Sequence, residues 1–465
     1  MPKKYHLDTE PIAARFVAPG RAALLDWEEG CLRCAVCVKQ KCVYQVYRNR
    51  RIDPVSLNDT VDSLCKHCFQ CVQSCPNRQI TKTVNPEYER LGDDYWTPDI
   101  LSRVYMQAET GRIPVSGAGY GGPFSGPGFD SIWTDMSEIV RPTRDGIHGR
   151  EYISTSVDVG RKPRFVGFDD RGGLTGQRGC FLESPLPFML GLPEGRRVSR
   201  ELAASVMAAA RTMDALAVVP HSFVETGPSD RDEWVAPAFG VGDPKPDPAA
   251  CRRFRMIEVE DRDDLTEWLG AFKAANDRTV VGARLALSPG YLDRMGALAE
   301  AGIDVIHLQA DHHARQPGSD APGRPHLRDL VREAHLRLVE LGLRDELTLL
   351  ASGGLALAEH VAKAIVCGAD AVVVDQALWT ALECRACVNC LDLSACPVAI
   401  ESVPLEWAEQ RLINICGAWR NQLLEVLGAM GLREIRRLRG EVGRAMFFEQ
   451  LEEESFGPIF GRRIG

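Results

Sequence analysis

Twelve of the sixteen cysteines fall into three short groups, and their spacing is the clearest sign of chemistry in the chain. The first run, CLRCAVCVKQKC, begins at Cys31 and has the spacing C-x2-C-x2-C-x4-C. The second, CKHCFQCVQSCP, begins at Cys65 and has the spacing C-x2-C-x2-C-x3-C-P. Thiolates spaced three residues apart wrap the backbone around one face of an iron–sulfur core. Each run therefore predicts ligands for a [4Fe–4S] cluster.

The two runs together resemble those of bacterial two-cluster ferredoxins, in which the fourth cysteine of each run binds the other run's cluster. Zinc sites also use C-x2-C pairs and are the alternative. Four zinc ligands, however, would leave the third cysteine of each run without a role. The expected ligand sets are Cys31, Cys34, Cys37 and Cys75 for one cluster, and Cys65, Cys68, Cys71 and Cys42 for the other.

A third group lies in ECRACVNCLDLSACPVAI and consists of Cys384, Cys387, Cys390 and Cys396. All four thiolates would hold a third [4Fe–4S] cluster. The evenly spaced Cys384, Cys390 and Cys396 would instead hold a [3Fe–4S] cluster and leave Cys387 spare. Zinc is a further alternative because only one group is present here. The spacing leaves these possibilities open.

The composition indicates a globular protein of two or three domains, with 45% apolar and 26% charged residues in 465. A net charge of −9 argues against a nucleic-acid partner. We find neither a signal-peptide pattern nor a run of eighteen apolar residues, so we expect no membrane span. The expected location is the cytoplasm, where thiols stay reduced and clustered cysteines are metal ligands rather than disulfides.

From about residue 180, short apolar runs alternate with amphipathic helical segments. Nearly continuous apolar strands suggest a parallel sheet buried on both faces. Eight of them predict a (β/α)8 barrel of the TIM type, with a doubly wound sheet as the alternative. The expected strands are residues 185–190, 215–220, 233–239, 254–260, 279–287, 304–310, 347–353 and 370–375.

These patterns divide the chain into four parts. Residues 1–98 are expected to form a ferredoxin-like domain with two [4Fe–4S] clusters. Residues 99–179 would be an irregular connector, and residues 180–383 the barrel. Residues 384–465 would carry the third cluster and a helical extension rich in Leu, Arg and Glu.

The segment LLASGGLALAEHVAKAIVCGADAVVVD predicts a strand, a tight turn, a helix and another strand. In a barrel, the turn Ser352-Gly353-Gly354 would lie at the carboxyl end of strand seven. Its backbone N–H groups and the following helix N-terminus could hold a phosphate. A turn that only joins strand to helix is the alternative.

This part of the chain resembles the synthase domain of the glutamate synthase large subunit, through three segments in this order: ASGGLALAEHVAKAIVCGADAVVV, then ALWTALECRACVNC, then CPVAI. The chain resembles in particular the short archaeal-type members of that family, which have a fused ferredoxin domain. The resemblance implies a barrel that binds FMN, with its phosphate at Ser352, Gly353 and Gly354. It also implies reduction of an imino acid formed from a 2-oxo acid, as in glutamate or N-methylglutamate synthesis.

The chain differs from that family at several sites, among them the loops after strand two, HSFVETGPSD, and after strand six, ADHHARQPGSD. Arg284 stands where the family has a lysine facing the flavin, and would stabilise negative charge on the reduced ring; a barrel-end ion pair is the alternative role. Asp375-Gln376 follows strand eight where the family has Gly-Thr. A carboxylate beside a phosphate is unfavourable unless it points away.

Histidines in the loop after strand six, ADHHARQPGSD, are further candidates. His312 and His313, with Asp311 and His307 near in sequence, suggest either a metal site or a general acid–base group. Surface histidines without a function are the alternative.

Two functions fit these patterns. In the first, the clusters pass electrons to FMN, which reduces an imino or 2-oxo acid. In the second, the chain is an electron-transfer subunit of a larger redox complex and its barrel is a non-catalytic scaffold. No NAD(P)H-binding fingerprint is evident. Both functions therefore predict electrons from a ferredoxin or a partner subunit, and a hetero-oligomer.

Overall fold

The computed structural model describes the barrel region and most of the segments around it. Cys31, Cys65 and Cys390, three of the expected cluster ligands, lie outside the described residues. No helix within those residues is long and apolar enough to cross a membrane. The described residues are 5–16, 18–27, 32, 34, 36–43, 45, 68–78, 80–113, 128–134, 152–175, 179–193, 198–224, 227–318, 323–387, 396–441, 443 and 445–461.

Within this part of the chain the strands are numbered in chain order. They are β1 (Ala22–Trp27), β2 (Ile80–Val84), β3 (Ile132–Thr134), β4 (Val157–Arg161), β5 (Gly167–Phe168), β6 (Leu174–Thr175), β7 (Cys180–Ser184), β8 (Phe188–Gly191), β9 (Ala217–Pro220), β10 (Val235–Phe239), β11 (Met256–Glu260), β12 (Val280–Ala286), β13 (Val305–Gln309), β14 (Thr348–Ser352), β15 (Ala371–Val374) and β16 (Ala445–Phe447).

The α-helices of the same residues are numbered in the same way. They are α1 (Gln70–Gln73), α2 (Pro86–Glu89), α3 (Pro98–Thr110), α4 (Arg200–Thr212), α5 (Pro248–Cys251), α6 (Leu265–Ala275), α7 (Tyr291–Glu300), α8 (Leu327–Glu340), α9 (Ala358–Cys367), α10 (Gln376–Ala381), α11 (Leu405–Ala429), α12 (Phe448–Leu451) and α13 (Gly457–Phe460).

Strands β8 to β15 form a closed parallel barrel, which confirms the predicted fold. Each strand pairs with the next along the chain, and β15 closes the ring by pairing with β8. Every residue of β8, β14 and β15 is buried, as expected for strands covered on both faces. Closure excludes the doubly wound alternative. All eight strands lie where the sequence predicts them, with ends that differ by a few residues.

The ring of helices around the barrel is incomplete. Between β9 and β10 the described chain forms only the 3-10 turns His221–Phe223 and Asp232–Trp234. The sequence of this loop, HSFVETGPSD, has no apolar repeat at helical spacing, and its Gly-Pro pair disfavours a helix. By contrast, α4 begins after Ser199, whose hydroxyl accepts the Leu202 N–H at 3.1 Å.

One end of the barrel is closed by an antiparallel pair, β4 with β7, which crosses the amino ends of the barrel strands. Thr348, the first residue of β14, fixes this floor. Its hydroxyl accepts the Gly160 N–H at 2.9 Å and lies 3.0 Å from the Gly160 carbonyl oxygen. The carboxyl ends of the strands form the other end of the barrel.

Helix α11 holds several segments against the barrel. It lies after the third cysteine group, where the sequence predicts a helical extension. It packs against α3 and α4. Arg411 is fully buried and donates to the carbonyl of Ala381, the last residue of α10, at 2.6 Å. Asn414, also buried, donates to the carbonyls of Glu10 and Ala108. The N-terminal arm, α3 and the segment before the third cysteine group therefore meet on one helix.

The two N-terminal cysteine runs lie beside each other. Strand β1, before the first run, pairs antiparallel with β2, which follows the second. The π-helical turn Val36–Gln40, which contains Cys37, packs against α1, which contains Cys71. This arrangement agrees with a ferredoxin-like domain, in which the runs exchange their fourth ligand. The domain boundaries given above stay a prediction.

Asp370, just before β15, is the centre of a half-buried ion cluster at the floor end. Its carboxylate lies 3.0 Å from Arg344 Nη1 and 2.6 Å from Arg439 Nη1, and it accepts the Leu349 N–H at 2.8 Å. Burial opposes ionisation, but the two guanidinium groups outweigh it and lower the pKa of Asp370. The cluster attaches the C-terminal segment, through Arg439, to the barrel.

We predict that Asp370→Asn destabilises the fold by about 3 kcal/mol, because it leaves Arg344 buried without its anion. The folded-state pKa lies below the unfolded value, so this contribution is complete above that value and is lost only as pH falls through the folded pKa. The loss in apparent melting temperature, measured by circular dichroism without oxygen, should therefore be the same at pH 8 and pH 5.

Asp345→Asn is the matched control, because the exposed Asp345 pairs with the same Arg439 at 2.8 Å. Its removal should cost less than about 0.5 kcal/mol. Equal losses from the two variants would contradict the prediction.

Candidate functional site

The carboxyl ends of the barrel strands enclose a cavity of about 330 Å³, which we call the mouth cavity. In barrel enzymes this end carries the reactive groups. Polar side chains from several strands point to one space here, so the cavity is the candidate site. Its polar and charged lining residues are Asp243, Glu258, Arg284, His307, Gln309, Ser352 and Asp375.

Glu258, Arg284 and His307 form a charged group on the adjacent strands β11, β12 and β13. His307 Nδ1 lies 2.7 Å from Glu258 Oε2, and both side chains are buried. Arg284 Nε lies 3.8 Å from Glu258 Oε1, and Arg284 Nη2 lies 3.2 Å from Glu260 Oε2. Arg284 thus lines the cavity and also forms the barrel-end ion pairs considered above.

This group holds a buried negative charge in place. Burial opposes ionisation of Glu258, but His307 and then Arg284 outweigh it and lower the pKa of Glu258. Nδ1 of His307 faces this carboxylate, so Nε2 is the ring nitrogen left for another partner. That buried nitrogen has no hydrogen-bond partner among the described residues. It is available to a ligand in the cavity.

Ser352 is the last residue of β14 and lines the same cavity. Its side chain is buried, and its hydroxyl oxygen has no hydrogen-bond partner within the described chain. A buried hydroxyl without a partner is costly. This is a second polar atom in the cavity that a ligand would satisfy.

Gly353 and Gly354 have positive φ angles of 95° and 66°, where a side chain is strained. A Cβ on Gly353 would lie 2.4 Å from the Ala310 carbonyl oxygen, and one on Gly354 would lie 2.3 Å from the Ala314 nitrogen. The loop after β13 therefore packs directly on this turn. Tyr95 adds a hydrogen bond, donated to the Gly354 carbonyl at 2.7 Å.

Asp375 follows β15 and caps the N-terminus of α10, where its carboxylate accepts the Gln376 N–H at 2.5 Å. An acid therefore lies at the helix terminus that would otherwise attract an anion. Gln376 is buried, and its Nε2 lies 3.8 Å from the Sγ of Cys384. The end of the last barrel strand thus adjoins the first thiol of the third cysteine group.

The structure separates His307, which belongs to β13, from the three candidate residues of the following loop, Asp311, His312 and His313. His307 lies inside the barrel, whereas His312 is exposed on the rim. Asp311 accepts the N–H groups of His313 and Arg315 and so shapes the loop. The sequence did not suggest Asp93, although its carboxylate lies 2.9 Å from His313 Nε2.

The hydrogen bond between Asp93 and His313 alters both pKa values. Burial would raise the pKa of Asp93, but the His313 ring and the N–H groups of Trp96 and Tyr95 lower it to about 2. The same hydrogen bond raises the pKa of His313 against the effect of partial burial.

Several of the cysteines expected to bind clusters lie within the described residues, and their thiols are the donors that such clusters require. Cys37 and Cys384 are buried, and Cys34 and Cys68 are exposed. The Cys384 carbonyl accepts the Tyr105 hydroxyl at 2.8 Å, which attaches the third group to α3.

Comparison with known proteins confirms the resemblance seen in the sequence. Residues 247–433 match the family model described as a conserved region in glutamate synthase. An archaeal-type glutamate synthase [NADPH] of Dehalococcoides mccartyi is 24% identical over 89% of this chain and 92% of its own length. The Thermotoga maritima protein of the same description is 24% identical over 92% of this chain and 95% of its own length. An archaeal glutamate synthase [NADPH] of Methanocaldococcus jannaschii is 40% identical over 115 residues, or 23% of this chain and 22% of its own.

Solved structures match this chain only at low similarity. A flavocytochrome b2 mutant with benzoylformate superposes with a TM-score of 0.41 and 12% identity, over 70% of this chain and 78% of that one. A mandelate oxidase mutant with benzaldehyde gives 0.38 and 15%, over 68% of this chain and 98% of that one. The barrel assignment rests on the observed strand pairing.

We predict that Gly354→Ala destabilises the fold by about 3 kcal/mol, since it adds a backbone clash with Ala314 to the strain of a positive φ. Gly290→Ala is the matched control: Gly290 has a φ of 88°, and its Cβ would meet nothing within 4 Å. That variant should lose only about 1 kcal/mol. Apparent melting temperatures measured side by side check the difference, and equal losses would refute the proposed packing of loop on turn.

Proposed function

We propose that this chain, which is similar to the archaeal-type glutamate synthases over most of its length, is an iron–sulfur flavoprotein subunit. Its clusters would pass electrons to FMN in the mouth cavity for reduction of an imino or 2-oxo acid, as in glutamate or N-methylglutamate synthesis. The observation that carries the proposal is the mouth cavity itself. Arg284 lines it together with two buried polar atoms that have no hydrogen-bond partner among the described residues, Ser352 Oγ and His307 Nε2.

The residues of the cavity fit the ring of a flavin better than its phosphate. Arg284 would stabilise negative charge on the reduced ring and keep its own proton while doing so. Ser352 would donate or accept a hydrogen bond. The Gly353-Gly354 turn and the α9 N-terminus lie on the phosphate side, but Asp375 on that side opposes an anion.

The barrel residues have distinct parts in the proposed reaction. Bound FMN would supply hydride transfer to the substrate. His307, oriented by Glu258, would exchange a proton with the substrate through Nε2. Arg284 would also attract a carboxylate group of the substrate. His312 and His313 lie on the rim, so we do not assign them to the chemical step.

The cysteine groups give a short path to this cavity. We propose two [4Fe–4S] clusters in the N-terminal domain and a third, of four or three irons, after the barrel. Gln376 contacts Cys384 and directly follows Asp375, which lines the cavity. The third cluster would therefore adjoin the flavin and receive electrons from the other two. Its proposed ligands are Cys384, Cys387, Cys390 and Cys396.

The electron source would be a ferredoxin or a redox partner subunit, and the protein would work as a hetero-oligomer. The proposed compartment is the cytoplasm, where the cluster thiols remain reduced before assembly. A nucleic-acid partner does not agree with the net charge of −9.

The second candidate function is an electron-transfer subunit whose barrel is a scaffold. Two observations favour it. First, Asp375 occupies the helix terminus on the phosphate side. Second, the described residues that line the cavity include three acids, Asp243, Glu258 and Asp375, but only one Lys or Arg, which is Arg284. Such a cavity is less favourable for FMN and for a dicarboxylate than one with more cations.

The test is to purify the protein without oxygen and to measure iron, flavin and activity on one sample. About twelve irons and one FMN per chain are expected, with EPR to distinguish a three-iron from a four-iron third cluster. With a chemical reductant, 2-oxoglutarate and ammonium or methylamine, glutamate or N-methylglutamate should form. Full iron without flavin or turnover would refute the proposal and leave the second function.

We further predict that Asp375→Asn tightens FMN binding about tenfold, because it removes a negative charge near the phosphate. Asparagine preserves the helix cap, so the fold should be unaffected. Fluorescence titration of deflavinated, cluster-loaded protein measures the dissociation constant. The remote Asp345→Asn is the control for net charge and should change nothing. Unchanged affinity in Asp375→Asn would mean that this carboxylate does not oppose the phosphate.

A further inference from the structure

A group of three possible metal ligands lies on the rim of the barrel, apart from the mouth cavity and the cysteines. Asp93, His312 and His313 each offer one ligand atom, and these atoms lie within 4.8 Å of one another. It is the only such group of three or more His, Cys, Asp or Glu residues found within the described ranges. Its members come from segments about 220 residues apart in sequence.

Asp93 is held rigidly before α3. One carboxylate oxygen, Oδ1, accepts the N–H groups of Tyr95 at 2.8 Å and Trp96 at 2.7 Å. The other oxygen, Oδ2, is directed to His313. In known metal sites, hydrogen bonds from surrounding residues hold the ligands in the orientation that the metal needs. The two hydrogen bonds to Oδ1 orient the Asp93 carboxylate in the same way and leave Oδ2 to act as the ligand atom.

The two histidines are held from both sides. The His312 carbonyl accepts the Trp96 indole N–H at 2.7 Å, and the His313 N–H donates to Asp311 at 2.9 Å. Asp311 is in turn bound by Arg324 at 2.9 Å. The rings of His312 and His313 lie 4.0 Å apart between centroids. These contacts fix the backbone of each histidine, and each ring offers one nitrogen to the group.

We propose that Asp93, His312 and His313 bind a divalent transition-metal ion of the zinc type. Two imidazoles and one carboxylate are donors that zinc accepts, and water would complete the coordination. Bonds of about 2.0–2.2 Å place neighbouring ligand atoms about 3–3.5 Å apart. The 2.9 Å between His313 Nε2 and Asp93 Oδ2 is close to that spacing, and the His312 ligand atom lies within 4.8 Å of both.

The bound ion would fasten the end of the N-terminal cluster domain, which contains Asp93, to the loop after β13. That loop packs on the Gly353-Gly354 turn, and Tyr95 binds the same turn. The ion would thus stabilise the joint between the cluster domain and the barrel. This inference does not depend on the proposed reaction, because it requires neither flavin nor turnover.

The test uses the protein purified without oxygen, with its clusters loaded so that their cysteines are not available to zinc. Isothermal titration with Zn²⁺ gives stoichiometry and affinity, and X-ray absorption at the zinc edge gives the ligands. We expect one ion per chain with nitrogen and oxygen ligands at about 2.0–2.1 Å. His312→Ala and Asp93→Asn should each weaken binding at least about tenfold.

His6→Ala is the matched control, since His6 is exposed and lies far away in the sequence. It should leave zinc binding unchanged. Three results would overturn the proposal: no saturable zinc binding, binding that persists unchanged in His312→Ala, or sulfur ligands at about 2.3 Å, which would indicate the cysteines. The first result would leave Asp93 and His313 as an ion pair only.

Discussion

Closure of the parallel barrel is the constraint on which the rest of the structure depends. A closed ring satisfies the backbone hydrogen bonds of every strand and brings all eight carboxyl ends to one rim. The register of β11, β12 and β13 pairs Arg284 with Glu260 on one side and with His307 on the other. Glu258, two residues before Glu260 on β11, joins this group through its side-chain contacts with His307 and Arg284. Since β4 and β7 cover the opposite end, the mouth cavity opens at the carboxyl ends of the strands. The barrel's own part in the proposed chemistry is therefore placed at that mouth.

The segments outside the barrel are attached through buried polar contacts rather than apolar packing alone. Arg411 is fully buried, and burial lowers its pKa while Glu383 acts in the opposite direction. Such a charge is tolerable only with partners, which here are the Ala381 carbonyl and Glu383. Glu383 also accepts the Arg15 N–H at 2.8 Å. These directional contacts fix the N-terminal arm and the third cysteine group in one arrangement, as electron transfer between fixed centres requires.

Much of the fold could be predicted because its signals are local. Eight apolar runs gave the strands, and helical spacing in α4 and α7 gave those helices. The site was harder to predict, because its members meet only through strand register and loop packing. Glu258 and His307 had a signal, a charged or polar residue within an otherwise apolar strand. Asp93 had none, since its partner His313 is distant in the sequence and nothing local indicates the contact.

The turn Ser352-Gly353-Gly354 shows how one motif can have two physical causes. The sequence suggests glycines that let an anion approach the backbone. In the structure the same glycines let the loop after β13 approach, with Ala310 and Ala314 where side chains would lie. The two causes are compatible, because the loop can pack on one side of the glycine backbone while an anion approaches the other side. A pair of glycines after a barrel strand therefore does not by itself identify a phosphate site.

The charges of the mouth decide how a flavin would be held there. On the phosphate side, Asp375 caps the N-terminus of α10, so that side attracts an anion less strongly than an uncapped helix end would. On the ring side, Arg284, His307 and Ser352 retain a cation and two polar atoms without partners within the described residues. In the proposed flavoprotein the ring contacts would therefore supply most of the binding energy. Arg284 divides its charge between Glu258 and Glu260, so a reduced, anionic ring would have to compete with both carboxylates for it.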